Sequence, residues 1–393
     1  MSKRILWLAP IVGAFAATAV QAAEPIKIGF VTTLTTPASI IGKQMVKGVE
    51  IALDHIGHKM GGRDVKVLFE DDAINPKQGK QKTDKLLKKD KVDIMTGYIW
   101  SHVLAASAPS VLKAGKIFVS ANAGYSAYAG KKCHKNFFNM SWENGESARA
   151  MGALLNRDGI KKLYVLAPNY AAGKDITNGV VSTFKGKIVG KELTGMKQYD
   201  WSAELAKIRA SGADAVWIFY PGAWGPKFLT QYEQAGMYKK FPLYNNYSVD
   251  NMTLPFYQNK AKLKGILGSF HTIQWSPDQP NPTNKRFVAD YKKKFKAYPS
   301  HFSAQSYEAI MLIKSGADAV GGNMKDVDGM RAAMEKLDFP PLRDKFKFGR
   351  NHYPIQNYYS RKVVVDKDGV WTTKLDELVL KDHETPHAKD CKL

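Results

Sequence analysis

The chain has 393 residues, 44% of them hydrophobic, and its 58 basic and 36 acidic residues give a formal net charge of +22. This length exceeds what one hydrophobic core usually serves, so two domains are expected, and the apolar content excludes a disordered chain. The charge suggests nucleic acid as a partner. However, the lysines are scattered and no zinc-finger or RNP-type motif occurs, so a solvated basic surface is favoured and no nucleic acid is expected.

The first 22 residues have the pattern of a secretory signal peptide. Lys3 and Arg4 precede an apolar run from Ile5 to Val20, and "VQA" ends at Ala22 with small residues. This run is too short and wrongly flanked for a stable membrane span. We therefore expect residues 1–22 to be removed on export, with a buried N-terminal helix as the alternative.

From Pro25 onward, strand-like runs alternate with helical periods. The run IKIGFV (26–31) is predicted to be a strand. A helix follows, because apolar residues recur at steps of three or four along one face: Ile41, Met45, Val49, Ala52 and Ile56. Further strands are predicted at VKVLFE (65–70), VDIMTG (92–97) and KIFVSA (116–121), and Pro76 opens a helix after the first of them. This alternation predicts βαβ units and a parallel sheet covered on both faces.

The same alternation starts again near residue 139. Strands are predicted within KKLYVLAP (161–168), KIVGKELTG (187–195), ADAVWIFYPG (213–222), FPLYNNYS (241–248) and LKGILGSF (263–270). The run NYYSRKVVVDKDGVW (357–371) predicts a β-hairpin that turns at Asp368-Gly369. We therefore predict an α/β fold of two Rossmann-like parallel-sheet lobes joined by a hinge. Lobe 1 comprises residues 24–138 plus 265–339, and lobe 2 comprises 139–264 plus the tail, 340–393.

Polar and aromatic residues recur where the predicted strands end. Trp100, Ser101 and His102 follow the third strand, and later strand ends carry Asn122, Tyr170, Tyr220, Trp224, Asn246, Tyr247, His271 and Trp275. Ligands of parallel α/β sheets bind outside the carboxyl ends of the strands. Two facing lobes would thus enclose a cleft walled by flat aromatic rings, with amides and hydroxyls among them.

Catalytic motifs are missing from this pattern. Ser101 and His102 are adjacent in sequence, whereas a general base must approach its serine from elsewhere, and no G-x-S-x-G elbow or Gly-rich phosphate loop occurs. Asp71 and Asp72 are interpreted as residues that fix a turn rather than as metal ligands. Two cysteines without a histidine cluster cannot form a zinc site. We expect no enzyme, no cofactor and no metal.

Five segments carry a family resemblance. They are IKIGFVTTLTTPASIIGKQMVKGVEIALDHI (26–56), FEDDAINPKQ (69–78), GYIWSHVLAASAP (97–109), FVSANAG (118–124) and YEQAGM (232–237). In this order they resemble the type I periplasmic solute-binding proteins of ABC importers, in the branch typified by the leucine/isoleucine/valine-binding proteins. The resemblance implies the type I periplasmic binding protein fold, a periplasmic monomer, and delivery of a ligand to membrane permease subunits.

Within that family the sequence is similar to the aromatic-acid-binding subgroup, through its "IWS" motif, its "NAG" loop with a following cysteine, and "FF…SWEN". This implies a benzoate-like or hydroxycinnamate-like ligand. Asn246 stands where amino-acid binders carry the acidic residue that holds the ligand's amino group. The alternatives are a branched-chain amino acid, a keto acid, or a soluble sensor on the same fold.

The resemblance also implies roles for single residues. Ser101, at the start of a helix that points its N-terminus at the ligand, would bind the carboxylate, and Trp100 or His102 would shape the ring pocket. The predicted set of ligand contacts is Ile41, Trp100, Ser101, His102, Asn122, Ala123, Gly124, Tyr170, Tyr220, Trp224, Asn246 and Trp275. Cys133 and Cys391 are expected to form a disulfide, the alternative being two unrelated thiols.

Overall fold

Strands and helices alternate along most of residues 23–393, the part of the chain that the computed structural model describes; the predicted signal peptide lies outside it. The strands are β1 (Ile26–Thr32), β2 (Lys59–Met60), β3 (Arg63–Asp71), β4 (Ile94–Gly97), β5 (Phe118–Ser120), β6 (Phe137–Asn139), β7 (Lys162–Pro168), β8 (Lys187–Thr194), β9 (Ala215–Ile218), β10 (Leu243–Asn245), β11 (Phe270–Ile273), β12 (Lys347–Phe348), β13 (Pro354–Val365) and β14 (Trp371–His383). The α-helices are α1 (Ser39–His55), α2 (Pro76–Lys88), α3 (Ser101–Lys113), α4 (Ser126–Ala129), α5 (Glu146–Arg157), α6 (Ala171–Thr183), α7 (Ser202–Ala210), α8 (Trp224–Gln234), α9 (Leu254–Phe256), α10 (Pro282–Phe295), α11 (His301–Ala319) and α12 (Val327–Glu335). Within residues 23–393, no helix has the length and apolarity needed to cross a membrane.

The first sheet has the strand order β2-β3-β1-β4-β5-β6. Its strands are parallel except β2, which forms a hairpin with β3. β4 is buried at all its positions, as expected for a strand with helices on both faces. α2 begins where the sequence predicted, because Asn75 accepts hydrogen bonds from Lys77 N and Gln78 N ahead of Pro76. Elsewhere in this lobe, α1 packs against α11.

The second sheet has the order β12-β13-β11-β10-β9-β7-β8, and β14 pairs with β13. β7 to β11 are parallel, while β13 and β14 form the predicted antiparallel hairpin around Asp368-Gly369. The prediction of two parallel-sheet lobes is confirmed. One boundary is wrong: β11 lies in the second sheet, whereas residues 265–339 were assigned to lobe 1. A short apolar run carries no signal of which sheet edge it joins.

Three segments cross between the lobes: residues 140–145, 274–281 and 336–346. Arg343 in the third crossing holds the first, since its guanidinium donates to the carbonyls of Met140 and Ser141. The same guanidinium lies 2.9 Å from Glu308 Oε2 on α11. The pair is buried, so each charge depends on its partner, and the two crossings are fixed together where the lobes meet.

The tail forms a further connection. After β14 leaves the second sheet, a 3₁₀ turn at Pro386–Asp390 packs on α4 of the first lobe. Cys133 and Cys391 form a disulfide there. The tail therefore ties the hairpin of the second lobe covalently to the first lobe.

Removing the disulfide should destabilise the fold without unfolding either sheet. We expect the Cys133→Ser/Cys391→Ser double variant to lose about 2–4 kcal/mol of unfolding free energy, because the unfolded chain is released from a long closed loop. Urea unfolding followed by circular dichroism measures this. The Cys391→Ser single variant should match the double variant. An unchanged urea midpoint in both would contradict a bond that stabilises the native state.

Candidate ligand-binding site

A small cavity lies between the lobes. Its walls come from strand ends of both sheets and from the first crossing. The lining residues are Ile41, Ile99, Trp100, Asn122 and Phe302 from the first lobe, Trp142 and Asn144 from the crossing, and Tyr170, Ala172, Ile176, Phe219, Pro221 and Tyr247 from the second lobe. Six of these are aromatic and none carries a formal charge. The cavity thus suits a flat, largely apolar molecule.

Aromatic pairs join its walls across the lobes. Trp142 stacks on Tyr247 with ring centroids 4.6 Å apart and planes 17° apart. Trp100 meets Tyr170 edge-on at 6.0 Å. Tyr247 has φ +60, an uncommon backbone angle for an aromatic residue, and its hydroxyl donates to Ser147 Oγ at 2.5 Å. Stacking and this hydrogen bond fix the Tyr247 ring as part of the wall.

The N-termini of two helices reach the cavity from opposite lobes. α3 starts after Trp100 and α6 starts after Tyr170; both of these residues have extended backbone and line the cavity. Neither helix has a side-chain cap, and the two helices contact one another. The first N–H groups of an α-helix have no partner within it and carry partial positive charge. This end of the cavity therefore favours an anion without offering a cationic side chain.

Trp100 is held in place from behind. Gly97 turns the chain at φ +101, where a Cβ would lie 2.3 Å from Val31 O. Trp100 Nε1 donates to Thr33 Oγ1 at 2.7 Å, and that hydroxyl donates to Asp72 Oδ1 at 2.6 Å. Asp72 also accepts from Ile74 N, so it fixes a turn, in agreement with its interpretation from the sequence. Burial raises the pKa of Asp72 to about 6.

Asn144 connects the crossing to both lobes. Its Nδ2 donates to Ser101 Oγ at 3.0 Å on α3 and to Asp175 Oδ2 at 2.9 Å on α6. Ser101 is buried but is not among the lining residues, so its side chain orients Asn144 rather than facing the cavity. The sequence motif contributes to the site here mainly through the start of α3.

The other residues of the two first-lobe loops support the wall from outside it. His102 Nε2 lies 3.0 Å from Ile74 O, and burial lowers the pKa of this imidazole, which packs edge-on against Tyr170 at 5.6 Å. Ala123 and Gly124 do not line the cavity. A Cβ at Gly124 would lie 2.0 Å from Trp142 O, so this glycine lets the crossing approach closely.

Four predicted contacts from the second lobe and the second crossing lie away from the cavity. Tyr220, Asn246 and Trp275 are hydrogen-bonded within the protein interior: the Tyr220 hydroxyl pairs with Thr194 Oγ1 and accepts from Trp201 Nε1, the Asn246 amide bonds Trp217 and Thr272, and Trp275 Nε1 donates to Asn284. Trp224 donates to Met196 O and meets Trp100 edge-on at 6.0 Å, so it supports the wall from behind.

Two of these differences involve adjacent residues. Phe219 and Tyr247, beside the predicted Tyr220 and Asn246, line the cavity. Neighbouring residues of an extended chain point to opposite sides, which accounts for Phe219, whereas Tyr247 departs from extended backbone at φ +60. Of the predicted set, Ile41, Trp100, Asn122 and Tyr170 line it. Alternation from the buried strand β9 would have indicated Phe219, but the left-handed backbone at Tyr247 interrupts this pattern after β10. By contrast, Trp142, Asn144 and Phe302 come from segments that the strand-end rule does not cover.

A buried charged cluster lies behind the aromatic wall. Asp250 Oδ2 accepts from Arg361 Nη2 at 2.9 Å and lies 2.8 Å from His301 Nδ1, with all three side chains fully buried. The His301 ring is 5.7 Å from Trp142 and 5.2 Å from Tyr247. Burial alone would raise the pKa of Asp250, but His301 and Arg361 hold it well below its ordinary value. The ionised carboxylate joins α11 of the first lobe to the second sheet.

Breaking this cluster should be costly. Arg361→Met leaves the Asp250 carboxylate buried without its cation, so we expect a loss of about 3–5 kcal/mol of unfolding free energy in urea. Lys367→Met is the control, since Lys367 is exposed and 4.0 Å from Asp368, and its effect should stay below about 0.5 kcal/mol.

The same cluster predicts a dependence on pH. Since the pKa of Asp250 is depressed, the contribution of its carboxylate to the free energy of unfolding is present at neutral pH and is lost as pH falls below about 3.9. Equal effects of the two variants at pH 7 would contradict the assignment.

Two parallel-sheet lobes, three crossings and an aromatic cavity between the lobes define a two-lobed binding protein for a small solute. The family model for "Periplasmic binding protein" matches residues 25–369, and the chain belongs to this family. The resemblance inferred from the sequence is confirmed. The protein is a solute-binding protein and not an enzyme.

Among curated relatives, Leu/Ile/Val-binding protein homolog 6 of Brucella abortus is 25% identical over 387 residues, which cover 95% of this chain and 96% of the relative. Among solved structures, the solute-binding protein of an ABC transporter from R. palustris in complex with benzoate has a TM-score of 0.87 and 26% identity, covering 94% of this chain and all of that one. A second R. palustris solute-binding protein, in complex with 4-hydroxybenzoate, has a TM-score of 0.83 and 23% identity over 92% of this chain and 98% of that one. At this lower identity, the second R. palustris protein shows that the fold is shared.

Proposed function

We propose that this protein captures a small aromatic carboxylate, of the benzoate or hydroxycinnamate kind, by closing its two lobes around it. The main support for this proposal is that one cavity combines six aromatic lining residues with the N-termini of two helices that have no side-chain cap. The rings offer edge and face contacts worth about 0.5–1.5 kcal/mol per aromatic pair beyond burial. The oriented N–H groups hold a carboxylate without a counter-ion.

The same lining disfavours a free amino acid. An α-ammonium removed from water needs a carboxylate or several strong acceptors. Within residues 23–393, no acidic side chain lines the cavity, and Asp175 lies behind Asn144. Asn246, at the position that the resemblance assigns to the ammonium partner, uses its amide on Trp217 and Thr272.

The comparisons support two candidates. The R. palustris protein at 26% identity was solved with benzoate, which favours an aromatic acid. The name of the Brucella relatives favours a branched-chain amino acid, which is the second candidate. The cavity distinguishes them through its missing acidic side chain. Periplasmic location after cleavage of residues 1–22, a monomeric state, and delivery of the ligand to the membrane subunits of an ABC permease complete the proposal.

A thermal-shift comparison of residues 23–393 tests the ligand class. A ligand that binds only the folded state raises the melting temperature according to its concentration relative to Kd. We expect benzoate, cinnamate or their hydroxylated forms at 1 mM to raise it by several degrees, and leucine, isoleucine and valine to leave it unchanged. A shift with leucine alone would replace the aromatic-acid proposal by the second candidate.

Two adjacent residues provide a matched pair of variants. Phe219→Ala opens the cavity wall and should weaken the best aromatic ligand at least about 10-fold in isothermal titration calorimetry. Tyr220→Phe removes the hydroxyl that Trp201 and Thr194 share, which should lower stability by about 1 kcal/mol and leave the Kd unchanged. If Tyr220→Phe weakened ligand binding and Phe219→Ala did not, Tyr220 rather than Phe219 would contact the ligand, and this prediction would be wrong.

A further inference from the structure

Asn122 is the polar side chain of the cavity with an unused buried atom. It follows β5, is 7% exposed and lines the cavity. Its Nδ2 donates to Ile99 O at 2.9 Å. Its Oδ1 is buried and has no hydrogen-bond partner within residues 23–393. A buried acceptor without a donor destabilises the site until something supplies a proton.

The orientation of this amide follows from its neighbour. A backbone carbonyl only accepts hydrogen bonds, so the NH₂ group of Asn122 faces Ile99 O and the oxygen is the free atom. Of the donors on the same walls, Trp100 Nε1 donates to Thr33 and the Tyr247 hydroxyl donates to Ser147, while neither Trp142 nor Tyr170 donates to Asn122. No protein group on these walls therefore satisfies the oxygen, and a donor on the ligand can do so.

A carboxylate cannot be that donor. When ionised it only accepts hydrogen bonds, and it would repel Asn122 Oδ1. A ring hydroxyl has the required proton and, with a pKa near that of tyrosine, keeps it at neutral pH. The helix N-termini thus suit an anion and Asn122 Oδ1 suits a donor, so one ligand that carries both groups can pair with both.

We propose that Asn122 Oδ1 accepts a hydrogen bond from a ring hydroxyl, which makes a hydroxylated aromatic carboxylate the preferred ligand over its unsubstituted parent. This inference rests on the proposed function and deepens it. A site built to pair with a hydroxyl discriminates strongly against analogues that leave its buried acceptor unpaired, whereas an apolar pocket gains little from the hydroxyl.

The test compares ring substituents on the wild-type protein by calorimetric titration at pH 7. The ligands are benzoate, 3-hydroxybenzoate, 4-hydroxybenzoate, 4-aminobenzoate, 4-methylbenzoate and 4-methoxybenzoate, with the matching cinnamates run in parallel. The methyl group is close to the hydroxyl in size but donates nothing, and the methoxy oxygen only accepts. We expect the better hydroxyl isomer to bind at least about 10-fold more tightly than the methyl and methoxy analogues. If that isomer is 4-hydroxybenzoate, 4-aminobenzoate should also bind more tightly than these two analogues, because its amine donates hydrogen bonds.

A variant then assigns the effect to Asn122. In Asn122→Leu the hydroxyl-to-methyl preference should fall to within about 2-fold, whereas Ser101→Ala should weaken hydroxyl and methyl ligands by the same factor and keep their ratio. If the ligands bind wild type equally, the aromatic-acid function stands and the role of Asn122 is refuted. If none of them binds, both are refuted. A preference that persists in folded Asn122→Leu also refutes the assignment.

Discussion

The stack of Trp142 on Tyr247 brings together elements that are far apart in the sequence. Trp142 belongs to the first crossing between the lobes, and Tyr247 follows β10 in the second sheet. His301 of α11, in the first lobe, packs against both rings and is bonded to Asp250. Each ring lines the cavity and also takes part in the contact between the lobes. A change in the relative position of the lobes therefore changes the shape of the site as well.

This coupling explains how a neutral wall could bind the anionic ligand that we propose. The helix N-termini that supply the donors, α3 and α6, belong to opposite lobes and meet only when the lobes are close. Their N–H groups then act in surroundings from which aromatic rings exclude water, where electrostatic attraction is stronger than at a surface. In the proposed function, lobe closure and anion recognition would therefore reinforce one another, and a ligand that contacts one lobe alone would gain only part of this stabilisation.

The fold was predictable from the sequence because its signals are local. Buried apolar runs, helical periods and turn residues such as Pro76 each act within a few positions, and together they specify two parallel sheets. The site was predictable to the level of the loop, as Trp100, Asn122 and Tyr170 illustrate. Which neighbour faces inward depends on the backbone conformation after each strand ends, so Phe219 and Tyr247 line the cavity in place of the predicted Tyr220 and Asn246. Trp142 and the sheet assignment of β11 depend on contacts between distant segments, which no local pattern records.

The disulfide has a consequence for when the lobes become covalently linked. Cys133 and Cys391 are 258 positions apart, and every strand of the second sheet lies between them. The bond therefore cannot form until all of those strands have been synthesised. Until then the polypeptide backbone is the one covalent connection between the two lobes.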